Sequence, residues 1–489
     1  MDYDIVIIGA GPGGYETALE AAGRYGMKTA LIEKRDIGGT CLNRGCIPTK
    51  TFLHTAELYE EVRNKGEVFG FTGNEGLAVD MSHLQKRKNE VVETLRAGIE
   101  KQLKAAKVDV YRGVGSIVAP GKVRVSGDEE TELSCRYIVI ATGSKPDRGK
   151  NVSGGASQCH ILTSDEVLDL DHVPESLLIL GGGVIGMELA SVFNALGSRV
   201  TVLKASTKIF NDMDKELGQS LKMLMKKRGV EIISGVKVKR LEETEGGVNC
   251  VYSGGSEEDA PEEVIFAEKV LLAKGRLSET EGLTDGEASG ELSALEFDDR
   301  GLIITDGYFR TGVEGIYAIG DCISGKDHPG HAMLAHVATA EGRSLLAWLN
   351  TSPAADMPDR PGDQDKSSDC PSPPDLSVVP ACIYTFPEIA SVGADPETCK
   401  AEGRDVIVKK YPMGANGKSV LTQQERGFIK VVADAGSGRI IGASMMCARA
   451  TDMISVFTEA IVNGLTIEDM QRGIFPHPTF CEGIGEAVR

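Results

Sequence analysis

The chain has 489 residues and a formal net charge of −19, which argues against nonspecific binding to nucleic acid. With 41% hydrophobic and 26% charged residues it has a soluble globular composition, long enough for roughly three domains. Its eleven cysteines are too thinly spread for a disulfide scaffold, and they read as reduced thiols of a cytoplasmic protein. The N-terminus carries acid (Asp2, Asp4) where a secretory signal carries base. The most apolar segment, residues 177–193, is interrupted by three consecutive glycines and Glu188, so no membrane span is expected.

Residues 4–8 form a continuous apolar run after Asp4, as in a buried parallel strand. Gly9-Ala10-Gly11-Pro12-Gly13-Gly14 follows at once and fits G-x-G-x-x-G. Residues 15–25 place Ala18, Ala21 and Ala22 at helical spacing, and a second strand at 29–32 ends in Glu33. This is a dinucleotide-binding unit. Gly9 makes the turn, Gly11 lets backbone approach a pyrophosphate, Gly14 allows close helix–strand packing, and Glu33 suits a ribose hydroxyl.

Gly38-Gly39-Thr40-Cys41-Leu42-Asn43-Arg44-Gly45-Cys46-Ile47-Pro48-Thr49-Lys50 comes next. Two cysteines this close can serve thiol–disulfide exchange, one sulfur attacking and one resolving. They could equally be packed core thiols. Half of a metal site is disfavoured, because no second pair at ligand spacing follows, and no metal is expected.

Residues 53–107 read as helical with a polar break near Gly73, and 108–125 as short strands around Gly113 and Gly115. A strand at 137–140 runs into Ala141-Thr142-Gly143. The first pattern then repeats: apolar residues 177–180, Gly181-Gly182-Gly183-Val184-Ile185-Gly186, a helix bearing Glu188, and a strand at 200–203. Two such units imply two dinucleotides. Here the acid is replaced by Lys204, which cannot accept from ribose hydroxyls. It could pair with the 2′-phosphate of NADP or lie idle beside NAD.

Residues 303–310 and 315–321 return to strand character, with Asp321 at a strand end, and Met333-Leu334-Ala335-His336 opens a helix. Residues 351–377 are rich in proline and aspartate and read as an acidic linker. A third domain follows, with strands near 391–393, 428–432 and 440–444 and a helix at 451–464. Gly414-Ala415-Asn416-Gly417-Lys418-Ser419 fails as a phosphate loop because Pro412 stands where its first glycine belongs. In His477-Pro478-Thr479-Phe480-Cys481-Glu482 the acid can fix the tautomer of the histidine and raise its basicity.

Together these motifs resemble the flavin disulfide reductases over the full length, and within them the dihydrolipoamide dehydrogenase branch. The cysteine stretch, both glycine fingerprints, Glu188, Gly320-Asp321, Met333-Leu334-Ala335-His336 and the terminal His-Pro-Thr-x-x-Glu carry the likeness. The resemblance implies an α/β fold of two Rossmann-like dinucleotide-binding domains plus a C-terminal α+β dimerisation domain. FAD would occupy 1–146 and 277–350, NAD(P) 147–276, and the dimer interface 379–489, with the linker at 351–378.

FAD would be lined by Gly9, Gly11, Pro12, Gly13, Gly14, Glu33, Gly39, Thr40, Lys50, Gly113, Ala141, Thr142, Gly143, Ser144, Asp321, Met333, Leu334, Ala335 and His336. The nicotinamide nucleotide would use Gly181, Gly183, Val184, Ile185, Gly186, Glu188, Lys204, Val238 and Gly275. Cys46 would face the flavin, Cys41 would exchange with dihydrolipoyl sulfurs, and Lys50 would pair with Glu188. His477, held by Glu482, would act as base at the other subunit of a homodimer. The implied reaction oxidises a lipoylated protein of a 2-oxo acid or glycine-cleavage complex and reduces NAD⁺. Lys204 motivates the alternative, an NADPH-dependent reductase of a soluble disulfide.

Overall fold

The first apolar run forms strand β1 (Tyr3–Ile8), and the glycine turn behind it releases helix α1 (Pro12–Gly23) and strand β2 (Thr29–Glu33). The structure is a computed structural model. It describes all residues except 128–129, 150–158, 211–212, 256–259, 285–289, 326–327, 329–330 and 352–375, so most of the acidic run at 351–378 lies outside the described residues. The chain divides into two units. The first comprises Met1–Pro48, Asn89–Lys145 and Arg276–Ser377, and the second Thr49–Lys88, Pro146–Gly275 and Val378–Arg489.

After β2 come helices α2 (Gly39–Arg44), α3 (Cys46–Lys65) and α4 (Met81–Ala105). Strands β3 (Asp109–Arg112), β4 (Val114–Ala119), β5 (Lys122–Ser126), β6 (Thr131–Ile140) and β7 (Ser144–Pro146) follow. In the first unit β1 pairs in parallel with β2 and β6, so Ile5 stands opposite both Thr29 and Tyr137. The sheet runs β3-β2-β1-β6-β5-β4, and β17 (Ile316–Ala318) also pairs with β6. Ile5, Val6 and Ile7 are fully buried, each removal from water contributing roughly 1.5–3 kcal/mol. Helix α8 (Ala335–Thr351) lies against α1: a Cβ at Gly13 would sit 3.1 Å from Ala338 Cβ.

Two expectations for this unit fail. Residues 303–310 form only isolated bridges, Ile303 to Phe297 and Ile323, and Arg310 to Tyr317. The Asp306 carboxylate accepts from the N–H groups of Tyr308 and Arg310 and closes a turn where strand character was expected. Asp321 does not end a strand either. β17 stops at Ala318, and Gly320, at φ +76, starts a short 3₁₀ turn whose first N–H donates to Glu341 at 2.6 Å. The helical stretch expected across 53–107 breaks between Lys65 and Met81, around Gly73 as expected.

In the second unit β8 (Ile161–Thr163), helix α5 (Ser164–Val167), β9 (Ser176–Leu180), α6 (Val184–Leu196) and β10 (Arg199–Lys204) repeat the pattern. Helix α7 (Lys215–Lys227), β11 (Glu231–Ser234), β12 (Val236–Thr244), β13 (Gly247–Gly254), β14 (Glu262–Ala267) and β15 (Lys269–Leu272) continue it. The parallel order is β11-β10-β9-β15-β8, accompanied by the antiparallel sheet β12-β13-β14. β16 (Arg276–Ser278) pairs with β7.

The C-terminal part is an antiparallel sheet in the order β18-β19-β22-β21-β20. Its strands are β18 (Ala381–Ile383), β19 (Glu388–Gly393), β20 (Val406–Pro412), β21 (Phe428–Asp434) and β22 (Ile440–Cys447). The helices here are α9 (Pro396–Ala401), α10 (Gly417–Leu421), α11 (Ala450–Val462), α12 (Ile467–Gln471) and α13 (Glu482–Val488). Met445, Ile454, Phe457 and Ile484 close one core between this sheet and its helices. Among the described residues, no helix is long and apolar enough to cross a membrane.

Candidate active site

The two glycine motifs build matching cradles. A Cβ at Gly9 (φ +103) would lie 2.4 Å from Ala141 O, and one at Gly181 (φ +124) would lie 2.1 Å from Ala273 O. Each first glycine therefore tucks its turn against the neighbouring strand end. A Cβ at Gly14 would meet Gly9 O at 1.8 Å, and one at Gly186 would meet Gly181 O at 2.2 Å, so each helix presses on its own turn. A Cβ added at the middle glycines, Gly11 and Gly183, would meet nothing within 4 Å. Both are helix N-caps that supply no side-chain cap; Pro12 carries no N–H and Gly14 N donates to Gly11 O, so the Gly13 amide of α1 and the first amides of α6 remain available to an anion. Open space at an uncapped helix start fits a dinucleotide pyrophosphate in each case.

The first unit gathers further polar groups around its cradle. The Glu33 carboxylate, at the end of β2, accepts from Ala10 N at 2.8 Å and Arg35 N at 2.7 Å. Gly39 lies so close to Gly11 that a Cβ would be 2.5 Å from Gly11 Cα, with Thr40 next in α2. Gly113 donates to Glu33 O at 3.0 Å, and Thr142 and Gly143 follow Ala141 at the end of β6. Asp321 Oδ2 accepts from Ser144 Oγ at 2.5 Å, and Arg276 donates to Ser144 Oγ and to Ser144 O, both at 2.7 Å. Burial pushes the Asp321 carboxyl up, opposed by Ser144 and Arg276. Met333 and Leu334 precede α8, and Ala335 and His336 are its first residues.

The second cradle differs at the ribose position. Lys204 is buried at the end of β10, and its stem covers the turn: a Cβ at Gly182 would be 2.9 Å from Lys204 Cδ. Its ammonium donates to the carbonyl oxygen of Lys208 and, at 3.4 Å, to that of Ile209. Burial lowers the Lys204 pKa, and nearby Lys222 lowers it further. Gly275 has φ +142, and Val238 sits half-buried on β12.

Cys41 lies in α2 and Cys46 is the first residue of α3, both half-buried. Gly45 separates the helices, with a Cβ there only 3.1 Å from Thr40 O. The sulfur of Cys46 therefore stands at a helix N-terminus, where negative charge is stabilised.

Within the second unit, Lys50 Nζ donates to Glu188 Oε1 at 3.1 Å and Oε2 at 2.9 Å. Tyr384 N donates to the same carboxylate at 3.0 Å, and its ring lies 4.5 Å from the ammonium. The Glu188 side chain is 3% exposed, so this charge is held in place by partners rather than by water. His477 Nδ1 lies 2.8 Å from Glu482 Oε1, and its side chain is 78% exposed. Thr479 N donates to Glu482 Oε2 at 2.9 Å, and Asn416 Nδ2 donates to Thr479 O at 3.0 Å. The Thr479 amide, then His477, holds the Glu482 carboxyl below the usual carboxylate range.

Three contributors escaped sequence reasoning as site residues. Tyr384 works through a backbone N–H to a carboxylate far away in the chain, which no motif can signal. Glu341 receives both Gly320 N and, at 2.8 Å, His331 Nδ1. Arg276 stands directly after Gly275, and that Gly-Arg pair was its signal.

The pattern of the family "Pyridine nucleotide-disulphide oxidoreductase" matches residues 3–342, and that of its dimerisation domain matches residues 379–488. The dihydrolipoyl dehydrogenase of Bacillus subtilis (strain 168) is 37% identical over 502 residues, covering 100% of this chain and 97% of that protein. The solved structure of LpdA from Mycobacterium tuberculosis superposes with a TM-score of 0.85 at 25% identity, covering 99% of both chains. The Cu(II) complex of the HOCl-induced flavoprotein disulfide reductase RclA from Escherichia coli has a TM-score of 0.81 at 27% identity, covering 100% and 99%.

Proposed function

The chain belongs to the pyridine nucleotide-disulphide oxidoreductase family, whose members use FAD and NAD(H), and from that premise we propose that this enzyme is a dihydrolipoyl dehydrogenase. The observation that carries the reading is the His477–Glu482 pair. An exposed imidazole held by an ionised carboxylate is the base that a dithiol substrate needs. The names of the full-length relatives supply the substrate class.

His477 takes a proton from one dihydrolipoyl thiol, acting at Cys41 of the partner subunit in a homodimer. The thiolate attacks Cys41 Sγ of the Cys41–Cys46 disulfide, and the bond electrons leave on Cys46. The second substrate thiolate displaces Cys41 from the mixed disulfide, which oxidises the lipoyl group and leaves two electrons on the cysteine pair. The start of α3 holds the Cys46 thiolate. Bound FAD supplies the two-electron link from this dithiol to NAD⁺. Gly9 to Gly14, Glu33 and Asp321 would bind the flavin nucleotide in 1–146 and 277–350, with Lys50 and Glu188 orienting groups at its ring. Residues 147–276 would bind the nicotinamide nucleotide, and 379–489 the second subunit.

The Lys204 ammonium already serves two carbonyls, which supports NAD⁺ over NADP⁺ as acceptor and weighs against an NADPH-dependent reductase of a soluble disulfide. The physiological substrate is then a lipoylated protein of a 2-oxo acid dehydrogenase or glycine-cleavage complex in the cytoplasm. Cys41→Ser tests the proposal. FAD stays bound while dihydrolipoamide–NAD⁺ turnover is abolished, and turnover within about tenfold of the parent would refute the exchange role.

A further inference from the structure

Away from both nucleotide cradles, the second unit brings together a thiol, an imidazole and a carboxylate. Cys159 and His160 directly precede β8, and Glu243 stands near the end of β12. One ligating atom from each of the three side chains lies within 4.8 Å of the others, with Cys159 Sγ 3.9 Å from Glu243 Oε1. Bonds of about 2.3 Å to sulfur and about 2.0–2.2 Å to oxygen at a tetrahedral angle place those atoms about 3.5 Å apart. The cluster is thus within a small side-chain adjustment of a coordination shell.

The surroundings hold the ligands. His160 N donates to Glu243 Oε1 at 3.0 Å, which ties the carboxylate to the Cys159-His160 backbone. His160 Nδ1 lies 3.0 Å from Glu268 O, the backbone contact that commonly orients a metal-binding imidazole. Lys269 Nζ donates to Cys159 O at 3.1 Å and lies 3.4 Å from His160 Nδ1. It fixes the loop backbone, and its charge moderates affinity. Cys159 is exposed, so an ion can enter from solvent.

We propose that Cys159, His160 and Glu243 form a binding site for a borderline divalent cation of the Zn²⁺ class, with the fourth position open to water. Thiolate and carboxylate together neutralise the ion, and imidazole completes a donor set that hard cations such as Mg²⁺ do not favour. The site clamps the start of β8 to the antiparallel sheet through β12.

The test uses the FAD-loaded full chain carrying Cys41→Ser, so that no catalytic dithiol competes. Zn²⁺ is titrated calorimetrically, and Co²⁺ serves as the spectroscopic probe. One ion per chain binds, and Co²⁺ develops thiolate charge-transfer absorption together with four-coordinate d–d bands at longer wavelength than the flavin. Adding Cys159→Ser removes the charge-transfer band, and Glu243→Gln weakens Zn²⁺ binding at least about tenfold. In the background with Cys41 intact, both variants turn over like the parent. Absence of Zn²⁺ binding, or equal binding with and without Cys159→Ser, would overturn the proposal.

Discussion

Lys204→Met separates two uses of one cation. In the structure the ammonium donates to the carbonyls of Lys208 and Ile209, and its stem lies over Gly182. To reach a 2′-phosphate it must give up both carbonyls. A charge-assisted hydrogen bond contributes about 1.5–3 kcal/mol, so exchanging one set for another nets close to zero. Lys204→Met should therefore change kcat/KM for NADP⁺ by less than about threefold. An ammonium dedicated to the phosphate would instead cost the variant about 10–150-fold with NADP⁺ alone. Lys204→Glu, which can accept from ribose hydroxyls, should raise kcat/KM for NAD⁺.

Stability supplies an independent check with a definite sign. Burial lowers the Lys204 pKa, so the folded chain releases this proton at lower pH than the unfolded chain. At neutral pH the buried charge opposes folding. As pH rises from the folded pKa towards the unfolded value of about 10.4, the unfolded state binds more protons and the parent gains stability that Lys204→Met lacks. Relative to the variant, the parent should therefore gain melting temperature as pH rises into the alkaline range. Steady-state rates with both nucleotides and melts across pH measure these quantities. A loss exceeding about tenfold confined to NADP⁺ would refute the reasoning.

Lys50→Met leaves Glu188 buried with Tyr384 N as its one remaining partner among the described residues. It should cost about 2–3 kcal/mol, seen as a melting point lower by about 2–5 °C, and Lys50→Met/Glu188→Met should recover much of that loss. Arg276→Met removes both donors to Ser144 beside Asp321, so FAD should dissociate faster on dilution, read from free-flavin fluorescence. Unchanged dissociation would remove Arg276 from the cofactor site. Glu482→Gln keeps the shape but loses the anion beside His477, so dihydrolipoamide turnover should fall by about 10²-fold while FAD content is unchanged. Full activity would exclude the pair as the base.

Both cradles were legible because each couples a fully buried strand to glycines whose Cβ atoms would strike backbone, a constraint written in consecutive residues. The His477–Glu482 pair was legible for the same reason: both partners lie in one short stretch. Position 204 was half legible. The sequence shows a cation in place of an acid, but where its ammonium points depends on the carbonyls of the following loop. The turn at Asp306 was misread because the apolar run at its start suggests a strand, while the Asp306 carboxylate accepts from two amides and closes a turn. Tyr384 and Glu341 were invisible, since each matters through a backbone N–H or a partner set by tertiary folding.

The most direct test of the central claim is an anaerobic titration of the FAD-loaded enzyme with dihydrolipoamide, followed by NAD⁺. The account predicts that the oxidised-flavin absorbance falls as dithiol is added, returns with NAD⁺, and does not respond to dithiol in Cys41→Ser. An unchanged flavin spectrum in the parent enzyme would contradict it.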